Sequence, residues 1–198
     1  MTNIILAGVG GQGTVLASKL IAQCAINRGQ SARTAETIGM AQRGGSVFSH
    51  VRIGDDILSP LIPLAGADLI IGFEPAEAVR VLPYLKPDGA MVVSTYPIKP
   101  VSDSLAKTSY RAEEMVSYLR SRVKTVVTLD AIAVCAASGS VKALNIALLG
   151  AAAACGLLGV SLDELRLAIE QKIAPRFQAV NIQALVLAAA TIGSSGDH

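Results

Sequence analysis

Gly8, Gly10 and Gly13 follow an apolar run at the spacing G-x-G-x-x-G, inside the stretch AGVGGQGTVLASKLI from Ala7 to Ile21. So bare a turn between a strand and a helix opens its backbone to a ligand. In that reading Gly8 permits a tight turn, Gly10 lets a ligand approach, and Gly13 lets the helix pack close to the strand. The amides of Gly11, Gln12, Gly13 and Thr14 would face outward at the positive end of the helix dipole, which suits a phosphate or a carboxylate. A dinucleotide site also needs an acid about 20 residues on for the ribose hydroxyl, and Glu36 ends the second strand at about that distance. The same glycines would equally serve a turn that only packs tightly, and the motif alone leaves both readings open.

A second constellation is TIGMAQRGGSVFSHVR, from Thr37 to Arg52, in which Gly39, Gly44 and Gly45 bracket Arg43. A guanidinium on a glycine-flanked loop can fork onto a phosphate or carboxylate. The alternative is that Arg43 pairs with Glu36 and pins the loop. Both loops are expected to face one cleft at the carboxyl ends of the strands, where open α/β sheets take ligands. His50 lies in an alternating strand and reads as structural. Only His198 remains besides it, so no Ser-His-Asp set can be assembled, and no catalytic residue is assigned to this chain. Glu113 and Glu114 read as solvated helix charges. Cys24, Cys135 and Cys155 stand far apart in apolar helical contexts, giving neither a disulfide framework nor a metal or cluster motif.

These residues must be held by an α/β fold, Rossmann-like, with a largely parallel sheet flanked by helices and a helical C-terminal third. Asn3–Gly8, Ser31–Glu36, Ser46–Gly54, Ala67–Phe73, Ala90–Thr95 and Thr125–Thr128 read as strands. Helices are predicted from Gln12 to Asn27, Glu74 to Leu85 and Arg111 to Arg122. Four more follow, at Ala131–Ala137, Val141–Cys155, Ser161–Ile173 and Pro175–Thr191. KPDG, from Lys86 to Gly89, reads as a turn, and Ser161 with Glu164 as a capping box. We expect one domain over residues 1–192, with a frayed tail at 193–198.

Hydrophobic residues make up 52% of the 198 and charged residues only 16%, against about 25% charged in an average soluble domain. Missing surface charge points to another subunit covering part of the chain, the alternative being a lone domain with a core merely rich in Ala and Val. An exposed apolar patch over Asn145–Gly159 is the expected place, with a homodimer forming when the chain is isolated. A net charge of +2 and the absence of Trp argue against nucleic acid and against an anionic membrane. The apolar stretch from Ile146 to Val160 is too short for an ordinary membrane span. No signal peptide precedes Ile4, and a cytoplasmic location is expected.

Taken together, the two glycine loops resemble the gamma-type domain of the 2-oxoacid:ferredoxin oxidoreductases. Within that family the chain is most similar to the small beta subunit of the indolepyruvate enzymes. The likeness runs through GVGGQG at Gly8, ETIGMAQRGGSVFSHVRIG at Glu36, SPLIP at Ser59, ADLIIGFEPAEAVRVLPYL at Ala67 and NIALLGA at Asn145. It implies a subunit of an enzyme that decarboxylates a 2-oxoacid to an acyl-CoA and passes electrons to ferredoxin. Thiamine diphosphate, Mg and the iron–sulfur clusters would then sit on the large alpha subunit, since this chain carries no thiamine signature and no cluster motif. The resemblance implies a role in receiving CoA for this chain, whose glycine turn would suit a CoA phosphate. Other possibilities are a gamma subunit of a pyruvate or 2-oxoglutarate enzyme, a free-standing Rossmann nucleotide-binding protein, and a scaffold whose loops only dock against a partner.

Overall fold

The computed structural model describes residues 1–38, 45–98 and 110–195. Six strands form one sheet in the order β2-β3-β1-β4-β5-β6. They are β1 (Thr2–Val9), β2 (Ala32–Ile38), β3 (Ser46–Ile53), β4 (Ala67–Gly72), β5 (Leu85–Ser94) and β6 (Thr125–Leu129). β1, β4, β5 and β6 pair in parallel; β3 pairs antiparallel with both β1 and β2. Only β3 therefore runs against the others, and the sheet is largely parallel as expected. The helices are α1 (Thr14–Asn27), α2 (Pro75–Val81), α3 (Ala112–Arg122), α4 (Ala131–Ser138), α5 (Leu144–Ala154), α6 (Leu162–Lys172) and α7 (Pro175–Ser195).

β1 and β4 are central and buried on both faces, which explains why each reads as a continuous apolar run. One face of the sheet, through Ile4, Leu6, Leu69 and Val92, packs on Leu20 and Ile21 of α1 and on α4 to α7. The other face, through Ile5, Ile70, Met91 and Val93, packs on Ala78 and Val81 of α2 and on Leu119 of α3. Each of these buried Val, Leu, Ile and Met side chains stabilises the fold by about 1.5–3 kcal/mol.

Four local expectations change, the first being that the helix predicted over Glu74–Leu85 ends at Val81 and Leu85 already opens β5. KPDG is not a turn between elements but a bulge inside β5: Ala67 pairs with Leu85 and Leu69 with Ala90, so Lys86–Gly89 is extra chain opposite one residue. α7 continues to Ser195, past Thr191. The Ala-rich helix α5 is no surface patch, because Asn145 to Ala152 are all buried. Its cover is α7 of the same chain, which contributes Ala184, Leu185 and Ala188 to the core. The crossing is so close that a Cβ on Gly150 would lie 2.4 Å from the Leu185 carbonyl oxygen. By length and composition alone α7 is long and apolar enough to cross a membrane over Pro175–Ser194.

Candidate functional site

β1 leads into α1 on one face of the sheet, and β4 leads into α2 on the other. These neighbouring parallel strands thus send their loops apart, opening a crevice at their carboxyl ends. The glycine turn lies on one side of it and Phe73 with Glu74 on the other. Gly45 reaches the same rim, where the Gly10 amide donates to its carbonyl at 2.9 Å. Arg43, with Gly39 and Gly44, falls outside the described residues.

Inside the turn the glycine roles are redistributed. Gly8 lies within β1 rather than in the turn. It must lack a side chain because a Cβ there would sit 2.6 Å from Gln12 Oε1 and 3.0 Å from Phe73 Cβ. Gly11 and Gly13 make the turn, with φ of +103° and +82°, a region that L side chains rarely adopt. Gly13 also receives Asn145 of α5, whose Nδ2 donates to its carbonyl at 3.2 Å. The Gln12 side chain points inward: Oε1 accepts from the Val9 amide at 2.7 Å and Nε2 donates to the Phe73 carbonyl at 2.9 Å.

The Gly10 amide and the Gln12 side chain are therefore spent on the fold. The Gln12 amide is also engaged, on the Val9 carbonyl at 3.2 Å. The amides of Gly11, Gly13 and Thr14 have no hydrogen-bond partner among the described residues. They stand at the start of α1, where no side chain caps the helix. This arrangement suits one small anionic group rather than a whole dinucleotide pyrophosphate.

Across the crevice lies a carboxylate cluster that sequence reading did not single out. Glu74 is the N-cap of α2, 1% exposed, and takes the Glu77 amide on Oε2 at 3.0 Å. Its Oε1 accepts from the Tyr110 hydroxyl. Burial pushes the Glu74 carboxyl above the usual carboxylate range, against these hydrogen bonds, and burial likewise raises the Tyr110 hydroxyl. Glu77 Oε2 accepts from Ser46 Oγ and from Arg80 Nε at 3.2 Å, tying α2 to the start of β3. The available signal was E-P-x-E, an N-cap acid followed by Pro in the first turn and a second acid at N3.

The dinucleotide reading fails on topology. Glu36 is exposed on the edge strand β2, and its register partner Ser49 on β3 lies opposite Leu6 of β1. Two strand spacings, about 10 Å, separate it from β1. In a dinucleotide fold the acid-bearing strand adjoins the glycine strand; here an antiparallel strand intervenes.

His50 is structural, as expected. Its Nδ1 accepts from the Ile62 amide at 3.2 Å, between the rings of Phe48 and Tyr84, and burial lowers its pKa. Glu113 and Glu114 are exposed on α3, the latter 3.5 Å from Arg111. Burial pushes the Cys24 and Cys135 thiols up to about 11, which makes them inert. Among the described residues no three His, Cys, Asp or Glu side chains are grouped to hold a metal ion. Among the described residues, clefts of about 400 Å³ open against Lys86, Tyr118 and Arg122, beside Gly139 to Lys142, and at two places beside β6.

Comparison with known proteins is consistent with this architecture. Residues 3–191 match the family described as pyruvate ferredoxin/flavodoxin oxidoreductase. The chain is 37% identical over 184 residues to indolepyruvate oxidoreductase subunit IorB of Archaeoglobus fulgidus, covering 92% of this chain and 91% of that protein. The gamma subunit of a keto/oxoacid ferredoxin oxidoreductase from Geobacter sulfurreducens superposes with a TM-score of 0.72 at 22% identity, over 98% of this chain and 99% of that one. The 2-oxoglutarate:ferredoxin oxidoreductase of Magnetococcus marinus, solved with 2-oxoglutarate, coenzyme A and succinyl-CoA, has the same score at 19% identity. There the match covers 98% of this chain but 31% of the larger one.

Proposed function

This chain belongs to the pyruvate ferredoxin/flavodoxin oxidoreductase family, and on that premise we propose that it serves an enzyme oxidising an arylpyruvate, indolepyruvate foremost. It is a small subunit of a 2-oxoacid oxidoreductase. The observation that carries the arylpyruvate reading is the 37% identity with an IorB subunit over nearly the whole of both chains. Decarboxylation, thiamine diphosphate, Mg and the iron–sulfur clusters are assigned to the large subunit. Three cysteines, two of them buried inert thiols, fall short of the four thiolates of a cluster.

This chain's own part is to shape and cover the site that the large subunit completes. The β3–β4 loop supports such a contact. Arg52 donates to the Ser59 carbonyl at 2.8 Å and the Ile62 amide bonds His50, leaving Leu58 97% exposed with Leu61 and Leu64 beside it. A CoA phosphate is assigned to the amides of Gly11, Gly13 and Thr14, which have no partner among the described residues, with Arg43 as the charged partner. Convergent backbone N–H donors at a helix start support the reading of one bound phosphate.

The test is co-expression with the large subunit and assay with indolepyruvate, phenylpyruvate, pyruvate and 2-oxoglutarate under ferredoxin reduction. The aryl substrates should show the higher kcat/KM, and the isolated chain should show no turnover. A preference for pyruvate or 2-oxoglutarate would overturn the assignment. In the same complex Arg43→Ala should raise the KM for CoA by the equivalent of about 1–3 kcal/mol. An unchanged KM with a lowered melting temperature would leave Arg43 a purely structural role.

A further inference from the structure

β6 ends the sheet, and its outer edge has no strand partner among the described residues. The Leu129 carbonyl accepts from Thr95 at 3.0 Å and so points back toward β5. By alternation, the backbone donors and acceptors of Val126 and Thr128 point outward. Proteins blunt such edges with charge, Pro or bulges. The opposite edge strand, β2, carries exposed Arg33 and Glu36. β6 reads Thr-Val-Val-Thr-Leu, with no charge, Pro or Gly, and its two valines are only half-buried. A groove of about 410 Å³ runs along it, bordered on the far side by Cys155, Thr191 and Ile192.

We propose that β6 is the two-fold interface for a second copy of this chain, which extends the sheet by antiparallel β6–β6 pairing centred on Val127. The charges at the ends of the strand select this register. An antiparallel pair related by a two-fold axis perpendicular to the sheet joins residues whose numbers share a constant even sum. Centring on Val127 sets Val126 against the partner's Thr128, both with outward backbone groups, so each pair exchanges two hydrogen bonds. The same register sets Lys124 against the partner's Asp130, and it does so at both ends. Lys124 is exposed and in no ion pair among the described residues. Asp130 uses Oδ1 to cap the Ala133 amide at 3.0 Å, which leaves its second oxygen for the partner's Lys124. Arg120, donating to Thr128 Oγ1 at 2.9 Å, buttresses the strand from α3.

α7 continues the surface. From Phe177 to Ser195 it carries no charged residue, its Val186 is 55% exposed, and Thr191 and Ile192 border the groove. The two-fold axis brings both copies of α7 to the same side of the joined sheet. A second copy therefore covers an edge strand and an uncharged helix face at once. The interface lies away from the glycine crevice and does not depend on which 2-oxoacid the enzyme takes.

The experiment places one cysteine on the axis. Residues facing each other across a non-hydrogen-bonded antiparallel pair have Cα atoms about 4.5 Å apart, within disulfide range. In a Cys155→Ala background the full-length chain, alone and co-expressed with the large subunit, should cross-link to itself through Val127→Cys under mild oxidation. Thr125→Cys, set opposite Leu129, should not cross-link. Lys124→Glu should weaken the dimer of the isolated chain about tenfold or more by sedimentation equilibrium, since it opposes like charges at both ends. Circular dichroism confirms that each variant is folded. A wild-type chain that stays monomeric at tens of micromolar overturns the proposal. So does a dimer that Val127→Cys fails to lock.

Discussion

Gln12 Nε2 donates to the Phe73 carbonyl at 2.9 Å, so a residue of the glycine turn closes the crevice between β1 and β4 from within. The residue offered to a ligand by its place in the motif is the one that holds the two strand ends together.

Gln12→Ala should therefore destabilise the fold by about 1–3 kcal/mol, because the Val9 amide and the Phe73 carbonyl both lose their side-chain partner. Gln12→Glu should recover part of this, since a carboxylate accepts from Val9 but cannot donate to Phe73. Urea denaturation of the three proteins measures it. Wild-type stability in the alanine variant would show that the bridge contributes nothing.

Gly150→Ala should cost about 1–3 kcal/mol, the usual range for overpacking a core. The new methyl would meet the backbone of Leu185 at 2.4 Å, and a backbone carbonyl cannot swing away as a side chain can. Gly193→Ala in α7 has nothing within 4 Å and should instead raise the melting temperature. Equal melting temperatures for the two variants would contradict the close α5–α7 crossing.

His50 makes stability pH-dependent. Burial lowers its pKa below the ordinary 6.5, so between those two values the unfolded chain binds a proton that the folded chain refuses. Stability should fall as pH drops below 6.5, since protonated Nδ1 could no longer accept from Ile62. His50→Gln keeps an acceptor without the titration. The wild-type-minus-variant difference in urea midpoint should thus shrink from pH 7.5 to pH 5, and a flat difference would be the contrary result.

Glu164 contributes in the opposite range. The Arg28 guanidinium, then the Ser161 amide, hold its carboxyl down at about 2, below its ordinary 4.5. The stabilisation is fully present above 4.5 and lost as pH falls toward 2. The pair is partly exposed and screened, so Glu164→Gln should cost only about 0.5–1 kcal/mol at pH 7 and nothing near pH 2. A cost that persists at pH 2 would have to come from the capping box rather than from the ion pair.

Local pattern settled much of this protein. The apolar runs of β1 and β4, the helical spacing of α1, Ser161 with Glu164 and the positive φ at Gly13 all follow from residues within a few positions of one another. The alternation of strands and helices likewise implied the layered sheet, and motif spacing pointed to the family. Tertiary structure decided what depends on contacts distant in sequence. Nothing near Glu36 announces that β3 will insert between β2 and β1, because strand order is set by which faces bury most apolar surface together. Nothing near Gln12 announces Phe73, 61 positions away, as its acceptor. α5 looks like a docking surface until α7 folds over it, since the sequence shows an apolar face without showing what covers it. The Glu74–Tyr110 pair is hidden for the same reason: burial raises a pKa, and burial belongs to the whole chain.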